Sequence, residues 1–337
     1  MKTVVKIEIV ILVLVILVGA GMVAVSEGVL NLFYDPVVLE RAPAPIPTEA
    51  APAAEEEPAP EIGEAAPPQT QSQTDTEART ITAQKYFAYD IRQDRYLHKH
   101  GDSAEHLYPA SITKLLTAYV VLQHMKPEDT VTVADALELV QEDSSVAGLE
   151  EGDKLTVDQL IAAMMLPSGN DAAQVVAVAA GRVIAGNSDL HYEKAVAAFV
   201  DEMNKQAEAL GMNNSHFANP DGFHHDDHYT TMDDLVILCK KVLTEQTILK
   251  YTSSTQSSVQ LTERTLEWKN TNAFLHSDSA TYLPNTIGLK TGYTEKAGNC
   301  LISAFFMEDT VVLIGVFGCE KGNENRYLDS LAIYNNI

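Results

Sequence analysis

Ser111 and Lys114 stand three residues apart in the segment that runs from Pro109 to Lys114. A helix that begins near Ala110 would place both side chains on one face, with Ser111 at the open N-terminus. A serine hydroxyl attacks a carbonyl carbon once a base removes its proton, and a lysine can be that base if burial or a neighbouring cation keeps it neutral. An unpaired N–H group at the helix end can bind an oxyanion. The same spacing also fits a serine N-cap followed by a solvent-exposed lysine.

A second polar segment, Pro167 to Asn170, lies between two apolar stretches that are typical of helices. The Ser168 hydroxyl could pass a proton, and the Asn170 carboxamide could hold a substrate amide by donating and accepting at once. The simpler interpretation is a turn that caps the helix beginning at Asp171.

A third segment, Lys290 to Gly292, lies in a strand-like stretch. Lys290 could raise the local potential and so help to keep one lysine neutral, while Thr291 could donate to a carboxylate. Gly292 leaves room for a ligand backbone beside the strand. A twisted strand end with a solvated lysine is the alternative.

The patterns S-x-x-K, S-x-N and K-T-G each occur once, in this order, with first residues 57 and then 122 positions apart. Together they form the triplet of penicillin-binding proteins and class A β-lactamases. The chain resembles the serine D-alanyl-D-alanine carboxypeptidases, which are the low-molecular-weight penicillin-binding proteins, over about residues 85–330. The flanking segments that share the resemblance are Gly148-Leu149, Gly152 to Leu155, Ser168 to Ala173, Leu210 to Met212, His216 to Gly222, Ile287 to Thr294 and Lys296 to Gly298.

The resemblance implies a role for each matching residue. Ser111 would form the acyl-enzyme and release D-alanine, Lys114 would take the Ser111 proton, and Ser168 would relay a proton to the leaving amine. Asn170 would orient the substrate. Lys290 and Thr291 would bind the substrate carboxylate, and Arg326 is the nearest match for an arginine that family members place near it. The oxyanion would face the backbone N–H groups of Ser111 and Tyr293.

The implied substrate is the D-Ala-D-Ala end of a peptidoglycan pentapeptide stem. β-Lactams are expected to acylate Ser111 as inhibitors, and no metal or organic cofactor is needed. The resemblance also implies a β-lactamase/transpeptidase-like fold.

The elements agree with an α+β class. Residues 85–99 alternate around a turn and predict a hairpin, and helices are predicted over 110–125, 157–166, 171–180 and 192–210, with Gly211 as the last helix cap. Strands are predicted over 286–291, 299–306 and 310–317. Two strands, a block of helices and three further strands predict an antiparallel sheet packed against a helical subdomain.

The chain of 337 residues has a formal net charge of −24, which argues against binding nucleic acid, because such binding needs a basic footprint. Three domains are predicted: residues 1–28 as a signal anchor or signal peptide, 29–80 as an acidic linker rich in Pro, Ala and Glu, and 81–337 as the catalytic domain. The apolar run Ile9 to Val25 favours a membrane anchor over a cleaved signal, because it exceeds the usual signal length. Lys2 and Lys6 precede it, which predicts an extracytoplasmic catalytic domain at the cell membrane.

A histidine cluster and a pair of cysteines could each be functional or merely structural. His224, His225 and His228 beside two aspartates resemble a set of metal ligands, but their spacing alone does not support a zinc site. Cys300 would face Cys319 if the last hairpin turns at residues 309–310, and would sit diagonally to it if the turn lies at 308–309. Only direct opposition would favour a disulfide.

Four other functions compete with the carboxypeptidase. A D,D-endopeptidase that cuts peptidoglycan cross-links could use the same site. A class A β-lactamase needs a glutamate four residues before an asparagine, but Asn204, Asn213 and Asn219 are preceded there by other residue types. A β-lactam-acylated sensor would need a cytoplasmic output domain, and a structural wall protein would not need the complete triplet.

Overall fold

The computed structural model describes residues 80–320 and 322–337. The predicted anchor and all of the predicted linker except residue 80 lie outside the described residues. No helix within the described ranges is both long and apolar enough to cross a membrane.

The described residues alternate between short strands and helices. The strands are β1 (Lys85–Asp90), β2 (Arg95–His100), β3 (Thr130–Thr132), β4 (Lys154–Thr156), β5 (Gln256–Gln260), β6 (Thr265–Lys269), β7 (Thr286–Thr294), β8 (Gly298–Met307) and β9 (Thr310–Cys319). The helices are α1 (Lys114–His124), α2 (Val157–Met165), α3 (Asn170–Ile184), α4 (Tyr192–Leu210), α5 (Met232–Val242), α6 (Gln246–Thr252) and α7 (Asn325–Tyr334).

Five strands form one antiparallel sheet in the order β2-β1-β9-β8-β7. The helices α1 to α6 all lie between β2 and β7 in the sequence, as does each of the two small sheets, β3-β4 and β5-β6. The predicted α+β class, the hairpin and the antiparallel sheet are therefore confirmed.

The central strands β8 and β9 of the sheet are buried on both faces. In β8, Ile302 and Ala304 belong to the main core with the helical block, whereas Leu301 and Phe305 belong to a second core beneath α7. A strand covered on both faces needs apolar residues at every position, which explains the uninterrupted apolar runs of β8 and β9.

The helices follow the predicted segments closely. α4 matches its predicted bounds, and Gly211 ends it in the left-handed region at φ 93°. α3 begins one residue earlier than predicted and continues to Ile184, because its apolar face still packs against neighbouring helices there.

The hairpin of β8 and β9 turns at residues 308–309, since Met307 pairs with Thr310 and Ile302 with Gly315. The register then shifts between Asn299 and Leu301. Cys300 lies in the core on the helical side and Cys319 in the core beneath α7, and both thiols are free. The register that would oppose the two cysteines is therefore wrong.

Candidate active site

Ser111 lies in a single 3-10 turn, Ala110–Thr113, which leads directly into α1. Ala110 has φ 49°, a conformation that an alanine adopts only when surrounding contacts enforce it. The tighter 3-10 geometry eclipses positions three residues apart, so the Ser111 and Lys114 side chains stand one above the other. The sequence predicted the helix start but not its 3-10 form.

Lys114 is fully buried, and its Nζ has three oxygen partners. It lies 2.9 Å from Ser111 Oγ, 2.8 Å from Asn170 Oδ1 and 2.7 Å from the carbonyl oxygen of Asp221. The last two oxygens can only accept hydrogen bonds. The two N–H groups of a neutral lysine are used by these acceptors, so its lone pair is left facing the Ser111 hydroxyl.

The protonation of Lys114 is set by two opposing effects. Burial lowers its pKa from 10.5 to about 8, even though the carboxylates of Asp221 and Asp171 act in the opposite direction. A lysine with this pKa is partly neutral near physiological pH, whereas an ordinary lysine is not. The geometry and the pKa therefore both suit Lys114 as the base for Ser111.

Ser168 lies in the short connection between α2 and α3, and Asn170 is the first residue of α3. Ser168 has φ 65°, and a Cβ at Gly169 would lie 2.8 Å from the carbonyl oxygen of Ala163, so the chain turns here in a space too small for a side chain. This turn directs Asn170 Oδ1 to Lys114 and the Ser168 hydroxyl to Lys290.

Lys290 is buried on β7, and its Nζ lies 2.9 Å from Ser168 Oγ and 3.2 Å from the Thr291 carbonyl oxygen. Burial lowers the pKa of Lys290 well below its usual range, and the positive charges of Lys114 and Arg326 lower it further. Two ammonium groups in one dry site repel each other, which disfavours a state with both lysines charged.

β7 runs close beside the Ser111 turn. A Cβ at Gly292 would lie 3.0 Å from the Pro109 carbonyl oxygen and 3.2 Å from the Ser111 backbone nitrogen. The Thr291 hydroxyl lies 2.6 Å from the Thr271 hydroxyl, which fixes its position at the strand. Gly292 therefore allows β7 to lie close to the turn that carries Ser111, in addition to leaving room for a ligand.

These elements enclose a cleft of about 820 Å³. Seven of the nine residues predicted from the sequence line it, and the two lysines lie beneath it. The lining residues of this set are Ser111, Ser168, Asn170, Thr291, Gly292, Tyr293 and Arg326. The structure therefore brings all three motifs together.

Arg326 forms part of the cleft wall, and its guanidinium donates four hydrogen bonds to protein atoms. Nη1 donates to the carbonyl oxygens of Gly292 at 3.1 Å and Cys300 at 3.2 Å, and Nη2 donates to the side chains of Asn323 and Asn299. Its charge faces the end of β7 from within the wall, and it holds the strand that carries the third motif.

Two aspartates that the sequence analysis did not single out hold the site together. The Asp171 carboxylate accepts hydrogen bonds from the backbone N–H groups of Ala147, Gly148 and Leu149 at 2.8 to 3.0 Å. The Asp221 carboxylate accepts from Gln174 Nε2 and from the Phe223 N–H, both at 2.7 Å. An acidic residue that directly follows the second motif, at the start of an apolar helix, is the signal that could have found Asp171, and the Pro-Asp-Gly turn is the signal for Asp221.

The histidine cluster has structural contacts of its own. The Ala218 N–H donates to His228 Nδ1, so the other ring nitrogen carries the proton and donates to Thr113 Oγ1 at 2.8 Å. Burial, with neighbouring histidines, lowers the pKa of His228 to about 3 and keeps the ring neutral. Within residues 80–320 and 322–337, no three His, Cys, Asp or Glu side chains are arranged to hold a metal ion.

The chain is similar to known proteins over its described part. A family model described as D-alanyl-D-alanine carboxypeptidase matches residues 70–320. D-alanyl-D-alanine carboxypeptidase DacF of Bacillus subtilis is 29% identical over 67% of this chain and 54% of its own length. DacA of Escherichia coli is 32% identical over 66% of this chain and 53% of its own length. The chain thus spans about half the length of these two relatives.

A solved structure extends the similarity to the fold. A variant of a Streptomyces DD-transpeptidase superposes with a TM-score of 0.68 at 30% identity. The match covers 76% of this chain and 98% of that protein. The cleft described above thus lies in a fold that an acyl-transfer protein also uses.

Proposed function

The chain belongs to the D-alanyl-D-alanine carboxypeptidase family, and on this premise we propose that it removes the terminal D-alanine from peptidoglycan stem peptides through an acyl-enzyme on Ser111. One observation carries the proposal. The Nζ atom of buried Lys114 lies 2.9 Å from Ser111 Oγ while its other two partners can only accept hydrogen bonds. This is the arrangement that a serine nucleophile with a lysine base requires.

In the first step, Ser111 Oγ attacks the carbonyl carbon of the penultimate D-alanine as its proton passes to Lys114. The backbone N–H groups of Ser111 and Tyr293 face the resulting oxyanion. The tetrahedral intermediate then collapses, the C–N bond breaks, and Ser168 relays a proton to the leaving amine of D-alanine. Water attacks the remaining ester, which restores the Ser111 hydroxyl and releases the shortened stem.

The free carboxylate of the substrate faces the third motif in this proposal. Thr291 donates a hydrogen bond to it, and Lys290 and Arg326 provide positive charge. An arriving carboxylate favours the protonated form of Lys290, so binding of the substrate and ionisation of the lysine support each other. This local field suits an anionic peptide despite the acidic composition of the whole chain.

β-Lactams present a strained amide to the same nucleophile, and we propose that they acylate Ser111 and inhibit the enzyme. The proposed chemistry uses side chains, backbone N–H groups and water, and no cofactor enters any step. The apolar run Ile9 to Val25, preceded by two lysines, supports attachment to the cell membrane with the catalytic domain outside the cytoplasm.

The test uses the full chain, its Ser111→Ala variant and a Ser145→Ala control. Ser145 lines the same cleft, but no lysine in the part of the chain that the structure describes makes a hydrogen bond with its hydroxyl. Each protein is incubated with a peptide ending in D-Ala-D-Ala and, separately, with a labelled penicillin. Free D-alanine and covalent label from the wild type and the control, with neither from Ser111→Ala, would support the proposal. A folded wild type that gives neither signal would refute it.

A further inference from the structure

A second cavity of about 340 Å³ lies next to the catalytic cleft, and Lys296 lines both. A contact between two rings also lies at the boundary of the two cavities. Tyr108 lines the second cavity and meets His224 of the cleft edge-on, with ring centroids 4.8 Å apart. One thin wall, formed by Lys296, Tyr108 and His224, therefore separates the two cavities.

Aromatic rings supply the apolar surface of the second cavity. His106 stacks on Tyr229 with ring centroids 3.9 Å apart and planes inclined by 16°. Both residues line the cavity, and His106 is exposed. A flat, partly exposed ring pair of this kind presents a polarisable face to a ligand while its nitrogen and hydroxyl groups remain available for hydrogen bonds.

The second cavity is lined by equal numbers of basic and acidic side chains. The basic ones are Lys85 and Lys296, and the acidic ones are Glu105 and Asp226. Lys85 pairs with Glu105 at 2.9 Å and also donates to the carbonyl oxygens of Glu105 and His106, so it holds that segment in place. Lys296 makes no hydrogen bond or ion pair with any residue that the structure describes. A balanced, polar cavity suits a neutral ligand rich in hydroxyl and amide groups better than it suits an ion.

The position of the cavity fits the geometry of a stem peptide. If Ser111 attacks the carbonyl of the fourth stem residue, four residues separate the acylated carbon from the sugar that carries the stem, a reach of at most ~14 Å. Gly292 lies against Ser111 and Lys296 follows four residues later, so Lys296 lies at most ~14 Å from Gly292 and the shared wall is within the reach of an extended stem.

We propose that the second cavity binds the N-acetylated amino sugar to which the stem peptide is attached. The proposal rests on the carboxypeptidase function above and specifies its substrate as a stem still joined to glycan. The sugar ring packs on the exposed face of His106, and its hydroxyl and acetamido groups meet Lys296 and Asp226. The cavity thereby distinguishes glycan-linked stems from free peptides.

The test compares one pentapeptide in two forms, free and joined to the N-acetylglucosaminyl-N-acetylmuramic acid disaccharide. The full chain is expected to release D-alanine from the glycan-linked form with a kcat/KM at least about tenfold higher, equivalent to ~1.4 kcal/mol. His106→Ala is expected to abolish most of this preference and to leave turnover of the free pentapeptide unchanged. His191→Ala is the matched control, because His191 also stacks on a tyrosine, Tyr192, with ring centroids 4.2 Å apart, and lines neither cavity.

A second measurement is independent of catalysis. The disaccharide alone is titrated into the full chain, and the ring signals of His106 and His191 are followed by NMR. Shifts confined to His106 support the sugar site even if D-alanine release fails, which would count against the proposed function only. Equal kcat/KM on both substrates, or a preference that survives His106→Ala, overturns the inference. So does an unchanged His106 signal at millimolar disaccharide.

Discussion

Lys290 Nζ lies 2.9 Å from the Ser168 hydroxyl oxygen, although the two residues are 122 positions apart in the chain. The contact joins the second motif, between two helices, to the third motif, on the sheet. Lys114 makes the matching contact from the first motif to Asn170. Each lysine therefore holds a polar side chain of the second motif, and the three motifs form one hydrogen-bonded unit.

The Ser168–Lys290 contact predicts a role in proton transfer. Ser168→Ala removes the hydroxyl that relays the proton to the leaving amine, so D-alanine release is expected to fall about 100-fold or more. Ser145→Ala, a change of the same size in the same cleft, should leave release within about twofold of wild type, as is usual for surface substitutions. Steady-state release of D-alanine measures both. Near-normal activity of Ser168→Ala would assign the relay to another group.

The pKa of Lys114, about 8, predicts how acylation depends on pH. The base must be neutral, so the rate of penicillin labelling should rise with pH through a midpoint near 8 and level off about one unit above it. The negative charge of Asp221 raises this pKa, so Asp221→Asn should lower it and move the midpoint of the profile to lower pH. The exposed Asp201 gives the control, Asp201→Asn, which should not move the midpoint.

The asparagine at 221 is a conservative replacement. Its carbonyl can accept from the Phe223 N–H, and its amide can donate to Gln174 Oε1, a buried atom that has no described partner, once the Gln174 amide rotates. The loop should therefore keep its position. Slower labelling at every pH, with no shift of the midpoint, would mean that Asp221 acts only on the shape of the site.

The Asp171 carboxylate is expected to be essential for stability. Asp171→Ala removes the acceptor of the backbone N–H groups of residues 147–149, of which those of Ala147 and Leu149 are buried, and we expect the free energy of unfolding to fall by about 3 kcal/mol. The neighbouring residues 143–145 line the cleft, so penicillin labelling should slow as well. Urea unfolding of wild type and variant measures the loss. A change below about 1 kcal/mol would contradict this role.

Alanine substitutions at two glycines with left-handed φ, Gly211 and Gly222, can distinguish the cost of backbone strain from the cost of a steric clash. A Cβ at Gly211 meets nothing within 4 Å, whereas one at Gly222 would lie 1.9 Å from the Ala110 carbonyl oxygen. Gly211→Ala should cost about 1–2 kcal/mol from strain alone. Gly222→Ala should cost at least about 2 kcal/mol more, because the loop must move away from the Ser111 turn. Urea unfolding and penicillin labelling of both variants compare the effects, and equal losses would refute the contact argument.

The three cysteines are expected to be unreactive in the folded protein. All are buried, and burial raises the pKa of Cys300 to about 11 and that of Cys239 to about 12, and raises that of Cys319 as well. A thiol without thiolate character does not react with iodoacetamide. Mass spectrometry should show no alkylation of the native protein and three adducts after unfolding without reductant. A single adduct would instead indicate a Cys300–Cys319 bond.

The sequence was sufficient for the motifs because their spacing within one helix or strand is local. Ser111 and Lys114 share a helical turn, and Lys290 to Gly292 share one strand, so periodicity alone places each group correctly. The contacts between motifs are different in kind. Nothing local indicates that Lys290 reaches Ser168 or that the Asp221 carbonyl reaches Lys114, because both depend on how the helical block packs on the sheet.

The register of the last hairpin shows a second limit. Two turns differing by one position fit the apolar pattern of β8 and β9 equally well, because both faces of the sheet are buried and no polar alternation fixes the pairing. The bulge between Asn299 and Leu301 shifts the pairing of β8 with β9, and no residue type in this segment predicts that shift. α7 was not predicted, because its buried face mixes the polar residues Arg326, Asp329 and Ser330 with the apolar Tyr327 and Ile333 and so breaks the apolar pattern.

The strand order has a consequence for the synthesis of the chain. β1 pairs with β9, and the Thr310 hydroxyl donates to the Asp90 carboxylate across 220 residues. The first hairpin emerges early but has no sheet to join until the last strands have been made. The nascent chain must therefore remain without its central sheet during most of translation, and chaperones would have a long interval in which to bind it before it folds.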